Sequence, residues 1–122
     1  MIIWLASYPK SGNTWLRSII SSLIYSDNGN FNFKLLDKIP LFPMQKHLEI
    51  FTKDFNNFEE VQKYWLFAQE KINLNKKINF FKTHQLNCNI NNFEFIDKNN
   101  TAGAIYIVRD PRNLVTSISN HY

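Results

Sequence analysis

Five consecutive apolar residues, Ile2-Ile3-Trp4-Leu5-Ala6, run into a short polar turn and then into a stretch whose apolar residues recur every three or four positions. An unbroken apolar run rich in β-formers suits a strand covered on both faces, as in a parallel sheet, and it predicts a strand over 2–7. After the turn at 8–13, Trp15, Leu16, Ile19, Ile20, Leu23 and Ile24 share one helical face. A helix from Thr14 therefore follows, ending near the Ser-Asp-Asn-Gly turn at 26–29. Strand, tight turn and helix in immediate succession open an α/β sheet with crossover connections.

Two further apolar runs continue the pattern. INFFKTH at 78–84 is a second strand candidate and TAGAIYIVRD at 101–110 a third, its AIYIV run suiting a buried parallel strand. Pro111 is suited to the first turn of a final helix through Asn113, Leu114, Val115, Ile118 and Ser119. Between the first and second strands, residues 30–57, with Pro40 and Pro43, read as loop with one or two short helices. One helix is predicted from Asn57, capped by that residue, with Glu59 and Glu60 in its first turn and Val61, Tyr64, Trp65 and Ala68 along one face. Lys76 and Lys77 close it. The Asn-rich stretch 87–100 reads as loop. Trp4, Trp65 and the phenylalanines are read as core, with the aromatic-rich region 31–67 also able to line a pocket. The fold class expected is α/β: a P-loop-like three-layer α/β/α arrangement around a parallel sheet, with about three strands present.

Composition narrows the classes. A chain of 122 residues fits one domain, and 44% hydrophobic with 16% aromatic residues is too apolar for a disordered chain. The net charge of +4 mildly favours anionic ligands. The single cysteine, Cys88, excludes an intrachain disulfide and a zinc site built on several thiolates, so a reducing, cytoplasmic setting is expected. The N-terminal apolar run is short and has no basic leader, and no run approaches the ~20 apolar residues of a membrane span. No cluster with metal-ligand spacing is present.

Three polar pieces sit where strands end: Lys10 to Thr14, Lys82 to His84, and Arg109. In an open parallel sheet those ends share one edge, where ligands bind. A glycine before a helix lets the chain turn tightly onto first-turn amides that are unpaired donors at the positive end of the dipole, which is an anion site. A plain strand-to-helix turn carrying a surface lysine explains the same residues. The turn is not a Walker A loop, which has two glycines and places its lysine after the second. His84 alone is a satisfied polar residue at a strand end, Arg109 next to Asp110 a local ion pair, and Ser117 a neutral helix position.

Taken together, the three pieces point further. YPKSGNTWL resembles the 5′-phosphosulfate-binding loop of the sulfotransferases that use 3′-phosphoadenosine 5′-phosphosulfate (PAPS), whose usual form is YPKSGTTW. IVRDPRNLVTSISNHY resembles that family's 3′-phosphate-binding strand and helix, and FFKTHQ its KTH stretch, whose histidine acts as catalytic base. Order and strand context match as well, and the resemblance spans almost the whole chain.

The resemblance implies that Lys10 touches the transferring sulfuryl group and that Ser11, Gly12, Asn13 and Thr14 cradle the 5′-phosphate through amides and hydroxyls. Trp15 would lie against the adenine side, and Arg109 and Ser117 would bind the 3′-phosphate. His84 would accept the proton of an attacking hydroxyl or amine, a role suited to imidazole, whose unperturbed pKa of ~6.5 lies near working pH. Asn13 stands where the family commonly has Thr, and an Asn there is expected to cap the helix and keep the phosphate site. Arg17 and Lys82 add positive field, while Arg112 reads as surface, and His47 and His121 carry no motif. PAPS is the implied sulfuryl donor, without a metal. The implied acceptor is a small molecule or glycan, with no nucleic-acid partner and an oligomeric state left open.

The family's domain continues well past Tyr122, so residues 1–122 read as the N-terminal part of a single sulfotransferase domain. A non-catalytic nucleotide- or anion-binding remnant is the alternative from another class, and a P-loop nucleotide kinase a third.

Overall fold

The computed structural model describes residues 1–121; Tyr122, the last residue of the third stretch, lies outside the described residues. The first strand, β1 (Ile2–Ser7), is central. It pairs in parallel with β2 (Asn79–Thr83) on one side and β5 (Thr101–Ile107) on the other, giving the order β2-β1-β5. Trp4 stands opposite Phe81 and Ala104, and the C-terminal ends align, Ala6 with Thr83 and Ser7 with Ile107. This is the parallel α/β sheet expected, and its strands deliver the three polar pieces to one edge.

The outer side of β2 is covered as well. Lys82 N–H donates to Pro40 O and Phe42 N–H to Lys82 O, both at 2.9 Å, and Leu41 bridges to Lys82 in parallel. The proline-containing segment thus acts as a fragment of strand, a pairing that apolar periodicity does not signal because three residues are too few to show a period.

Alternation sends Trp4 and Leu5 to opposite faces of the sheet. Trp4 packs into a cluster with Ile2, Phe42, Leu48, Val61, Trp65, Ala68, Phe81 and Phe95. Its ring lies 5.5 Å from those of Phe42 and Phe95, and Trp65 meets Phe95 edge-on at 5.1 Å. Such pairs add roughly 0.5–1.5 kcal/mol each beyond area burial. Leu5 is fully buried on the other face.

The helix predicted from Asn57 is two helices, α3 (Phe58–Gln62) and α4 (Trp65–Asn73). Asn57 caps the first as expected, its Oδ1 accepting from Glu60 N–H at 3.2 Å. The break falls at Lys63 and Tyr64, where Tyr64 N–H closes a tighter turn onto Val61 O. The stretch 87–100 is not all loop: β3 (Asn89–Ile90) and β4 (Phe93–Glu94) form a small hairpin. Asn91 and Asn92, both left-handed at φ 53° and 64°, make its two-residue turn, a role that asparagine tolerates unusually well.

Three burial expectations are corrected. On α1 (Asn13–Tyr25) the inward residues are Asn13, Ser21 and Ser22, while Trp15 is 72% and Leu23 75% exposed. Side chains of two residues hold this rotation: Asn13 bonds twice to β1, and Arg17 Nη2–H donates to Leu36 O at 2.8 Å on the 3₁₀ turn Phe33–Lys38. β5 is not covered on both faces, Tyr106 being 67% exposed, because among the described residues it pairs only with β1 and α5 (Pro111–Ser119) contributes no buried residue. Phe31, Phe33, Phe58 and Phe67 are exposed rather than core. The remaining short helix, α2 (Gln45–Leu48), supplies Leu48 to the cluster.

Candidate functional site

The chain leaves β1 and enters α1 through two left-handed residues, Lys10 at φ 65° and Gly12 at φ 101°. Glycine adopts this region freely, whereas for a lysine it costs roughly 1–2 kcal/mol. Lys10 is gripped in that conformation from β5's end: Arg109 Nη1–H donates to Lys10 O at 2.9 Å. Ser11 N–H donates to Tyr8 O at 3.3 Å and closes the turn.

Gly12 is the residue that caps α1, and no side chain satisfies the helix end. Leu16 N–H donates to Gly12 O at 3.1 Å, so the amides of Asn13, Thr14 and Trp15 have no intrahelical partner. The first turn also holds no acidic residue. A bare, positive helix end results, the arrangement that binds phosphate-like anions.

Asn13 does not cap the helix as expected. It sits one residue inside, where a side chain points back along the axis, and its Nδ2 donates to Leu5 O at 2.9 Å and Ser7 Oγ at 3.1 Å. Ser7 in turn meets His84, just beyond β2, whose Nδ1 lies 2.7 Å from Ser7 O. A carbonyl only accepts, so Nδ1 carries the proton and Nε2 is the basic nitrogen.

These pieces open onto one cavity of about 780 Å³ above the strand ends, lined among others by Lys10, Gly12, Asn13, Thr14, Trp15, Lys82, His84, Arg109 and Ser117. Among the described residues, three cations line it and no carboxylate does. Ser11 alone among the candidates is absent from the lining, being buried beneath the turn. Burial pushes the Lys82 ammonium below its usual lysine value, and the Arg17 guanidinium pushes it the same way. Arg17 does not line the cavity; burial lowers its own pKa, with Asp37 opposing. A second cleft, about 650 Å³ beside the hairpin, is lined by Glu94, Asp97 and Lys98 and holds none of the candidate residues.

The other polar residues separate cleanly. Asp110 pairs with Arg112, not Arg109, at 2.7 Å on the surface, and its side chain accepts from Arg112 N–H to cap α5. Their hydrogen bonds lower the Asp110 pKa and raise that of Arg112. His47 is structural: it stacks on Phe42 at 5.2 Å and its Nδ1 accepts from Met44 N–H. His121 lines the cavity, which no motif signalled. Ser7 was also missed, because it reads simply as the last residue of a strand. Among the described residues, no group of three or more His, Cys, Asp or Glu side chains is placed to hold a metal ion. No helix among them is long and apolar enough to cross a membrane.

A parallel α/β sheet with a glycine turn feeding a bare helix end, and a cavity lined by cations over the strand termini, is an α/β architecture whose geometry suits an anionic ligand. Residues 2–122 match the family model of the sulfotransferase domain, and the chain belongs to that family. No significant match was found among curated proteins or among solved structures.

Proposed function

We propose that this chain carries the donor-binding and catalytic residues for sulfuryl transfer from PAPS to a hydroxyl or amine of a small molecule or glycan. The observation that supports it most is the single cavity where Lys10, Lys82, Arg109 and His84 converge with no carboxylate among the described lining residues. Its residues fit a nucleotide with phosphate groups at both ends: the free amides of α1 and the Thr14 hydroxyl for the 5′ side, Arg109 and Ser117 for the 3′ side, and Trp15, largely exposed, as a surface for the base.

When bound, the donor supplies the sulfuryl group and a phosphate leaving group. Lys10 and Lys82 hold positive charge where negative charge grows on the bridging oxygen, which is the main demand of such in-line transfers. Nε2 of His84, free of a proton, accepts the one released by the acceptor. No metal enters this scheme. The free, exposed Cys88 is in keeping with a reducing compartment, and cytoplasmic residence is part of the proposal. Membership of the sulfotransferase family sets the nucleotide-kinase alternative aside.

The test is transfer of radiolabelled sulfuryl from PAPS to a panel of phenols, alcohols, amines and sugars. Labelled product is expected, and His84→Ala is expected to lower its rate by about 10²–10⁴-fold while nucleotide binding persists. Donor binding without transfer to any acceptor class would favour the non-catalytic, nucleotide-binding reading instead.

A further inference from the structure

A chain of hydrogen bonds links the helix that follows the glycine turn to the imidazole of His84. Asn13, 5% exposed, spends both Nδ2 hydrogens on the end of β1, one on Leu5 O and one on Ser7 Oγ. The reverse amide orientation is excluded, since it would set two oxygens 2.9 Å apart. Its Oδ1 is buried with no hydrogen-bond partner, so the side chain is held by its donor bonds alone. Ser7 then offers His84 Nδ1 two acceptors, its carbonyl at 2.7 Å and its hydroxyl at 3.3 Å.

We infer that Asn13 and Ser7 are positioning residues that hold His84 in the Nδ1–H tautomer and thereby make Nε2 the basic atom at the cavity. The purpose of that arrangement rests on the sulfuryl-transfer reading; the hydrogen-bond chain itself does not. The tautomer has to be held, because the bond made by one ring nitrogen decides which nitrogen carries the proton. Asn13 thereby serves two ends, its main-chain amide standing among the first-turn donors while its side chain braces the imidazole. Threonine, common at this position in the resembling loop, has a single O–H donor and cannot donate to Leu5 O and Ser7 Oγ at once. The asparagine thus ties the geometry of the anion loop to that of the imidazole, and a change at one is felt at the other.

The experiment is a long-range ¹H–¹⁵N correlation spectrum of the ¹⁵N-labelled full chain, recorded with the imidazoles neutral and the His84 ring signals assigned by loss in His84→Gln. Wild type is expected to show a protonated Nδ1 and an unprotonated Nε2. In Asn13→Thr the signals move toward the opposite tautomer, in Ser7→Ala, which keeps the Ser7 carbonyl as acceptor, they move less, and Lys10→Ala leaves them in place. In the transfer assay Ser7→Ala lowers kcat by about ten-fold, with the donor KM little changed. A protonated Nε2 in wild type overturns the inference, as does an unchanged tautomer in both variants. The ring nitrogens decide the question even where no turnover is observed, so failure of the transfer reading and failure of this inference are distinguishable. Neither variant empties the aromatic core, and Ser7→Ala leaves the Ser7 carbonyl in place, so a folded sample is expected for at least one of them.

Discussion

Arg109 donates from Nη1 to the carbonyl of Lys10 at 2.9 Å, joining residues 99 positions apart. The bond closes the mouth of the anion loop from the far end of β5 and steadies a lysine in left-handed backbone. The residue proposed for the 3′-phosphate therefore also shapes the loop proposed for the 5′-phosphate.

Arg109→Ala is accordingly expected to cost more than one ligand contact. A hydrogen bond involving a charged group contributes about 1.5–3 kcal/mol, so affinity for 3′-phosphoadenosine 5′-phosphate should fall at least ten-fold. Arg109→Lys should recover only part of it, since an ammonium cannot reproduce the planar fork that grips Lys10 O while facing the cavity. Equal affinity for the Lys variant and wild type in calorimetry would contradict this.

Gly12→Ala should weaken both the fold and the site. No atom lies within 4 Å of an added Cβ, so the penalty comes only from the backbone at φ 101°, roughly 1–2 kcal/mol. Urea titration should show that loss, and nucleotide binding should weaken with it as the helix end shifts. A Gly12→Ala chain as stable as wild type would mean that the turn does not need its left-handed residue.

His47 should make stability depend on pH. Burial first, and then the neighbouring Lys46, lower its pKa from 6.5 to about 4. The folded state thus binds the proton less readily than the unfolded chain. The stabilisation is complete above pH 6.5, is lost as pH falls toward 4, and changes no further below it. After discounting for the partial exposure of the ring, about 1–2 kcal/mol is at stake. Denaturation of wild type and His47→Gln at pH 7, 5.5 and 4.5 checks this: the gap between them should narrow toward acid, and a constant gap would refute it.

The inward and outward faces of the helices predict opposite outcomes for two apolar residues. Trp65→Ala should cost about 3–5 kcal/mol, because Trp65 is buried against Phe95 and Phe58. Leu23→Ser should stay within about 0.5 kcal/mol, because Leu23 lies on the outer side of α1. Equal losses in thermal unfolding would show that the apolar stripe of α1 is packed after all.

That contrast also marks how far the chain was legible. β1, β2 and β5 and the first and last helices follow from apolar runs and punctuating residues, because strand and helix formation register in local patterns. Rotation of α1 about its axis does not, since it depends on Asn13 and Arg17 finding partners in β1 and the 3₁₀ turn. Residues 40–42 and the Asn91-Asn92 hairpin were illegible for a related reason: each is too short to carry a period. At the cavity, motif and order pointed to Lys10, His84 and Arg109, while Ser7 and the side-chain role of Asn13 emerge only when β1, β2 and α1 are brought together.

Isothermal calorimetry of the chain with 3′-phosphoadenosine 5′-phosphate tests the central claim most directly, since it asks whether the cation-lined cavity is a nucleotide site. Saturable one-to-one binding, weakened at least ten-fold by Lys10→Ala and by Arg109→Ala and further weakened by added salt, is the expected result. A folded chain that takes up no nucleotide, or binds it equally well without Lys10 and Arg109, would contradict it.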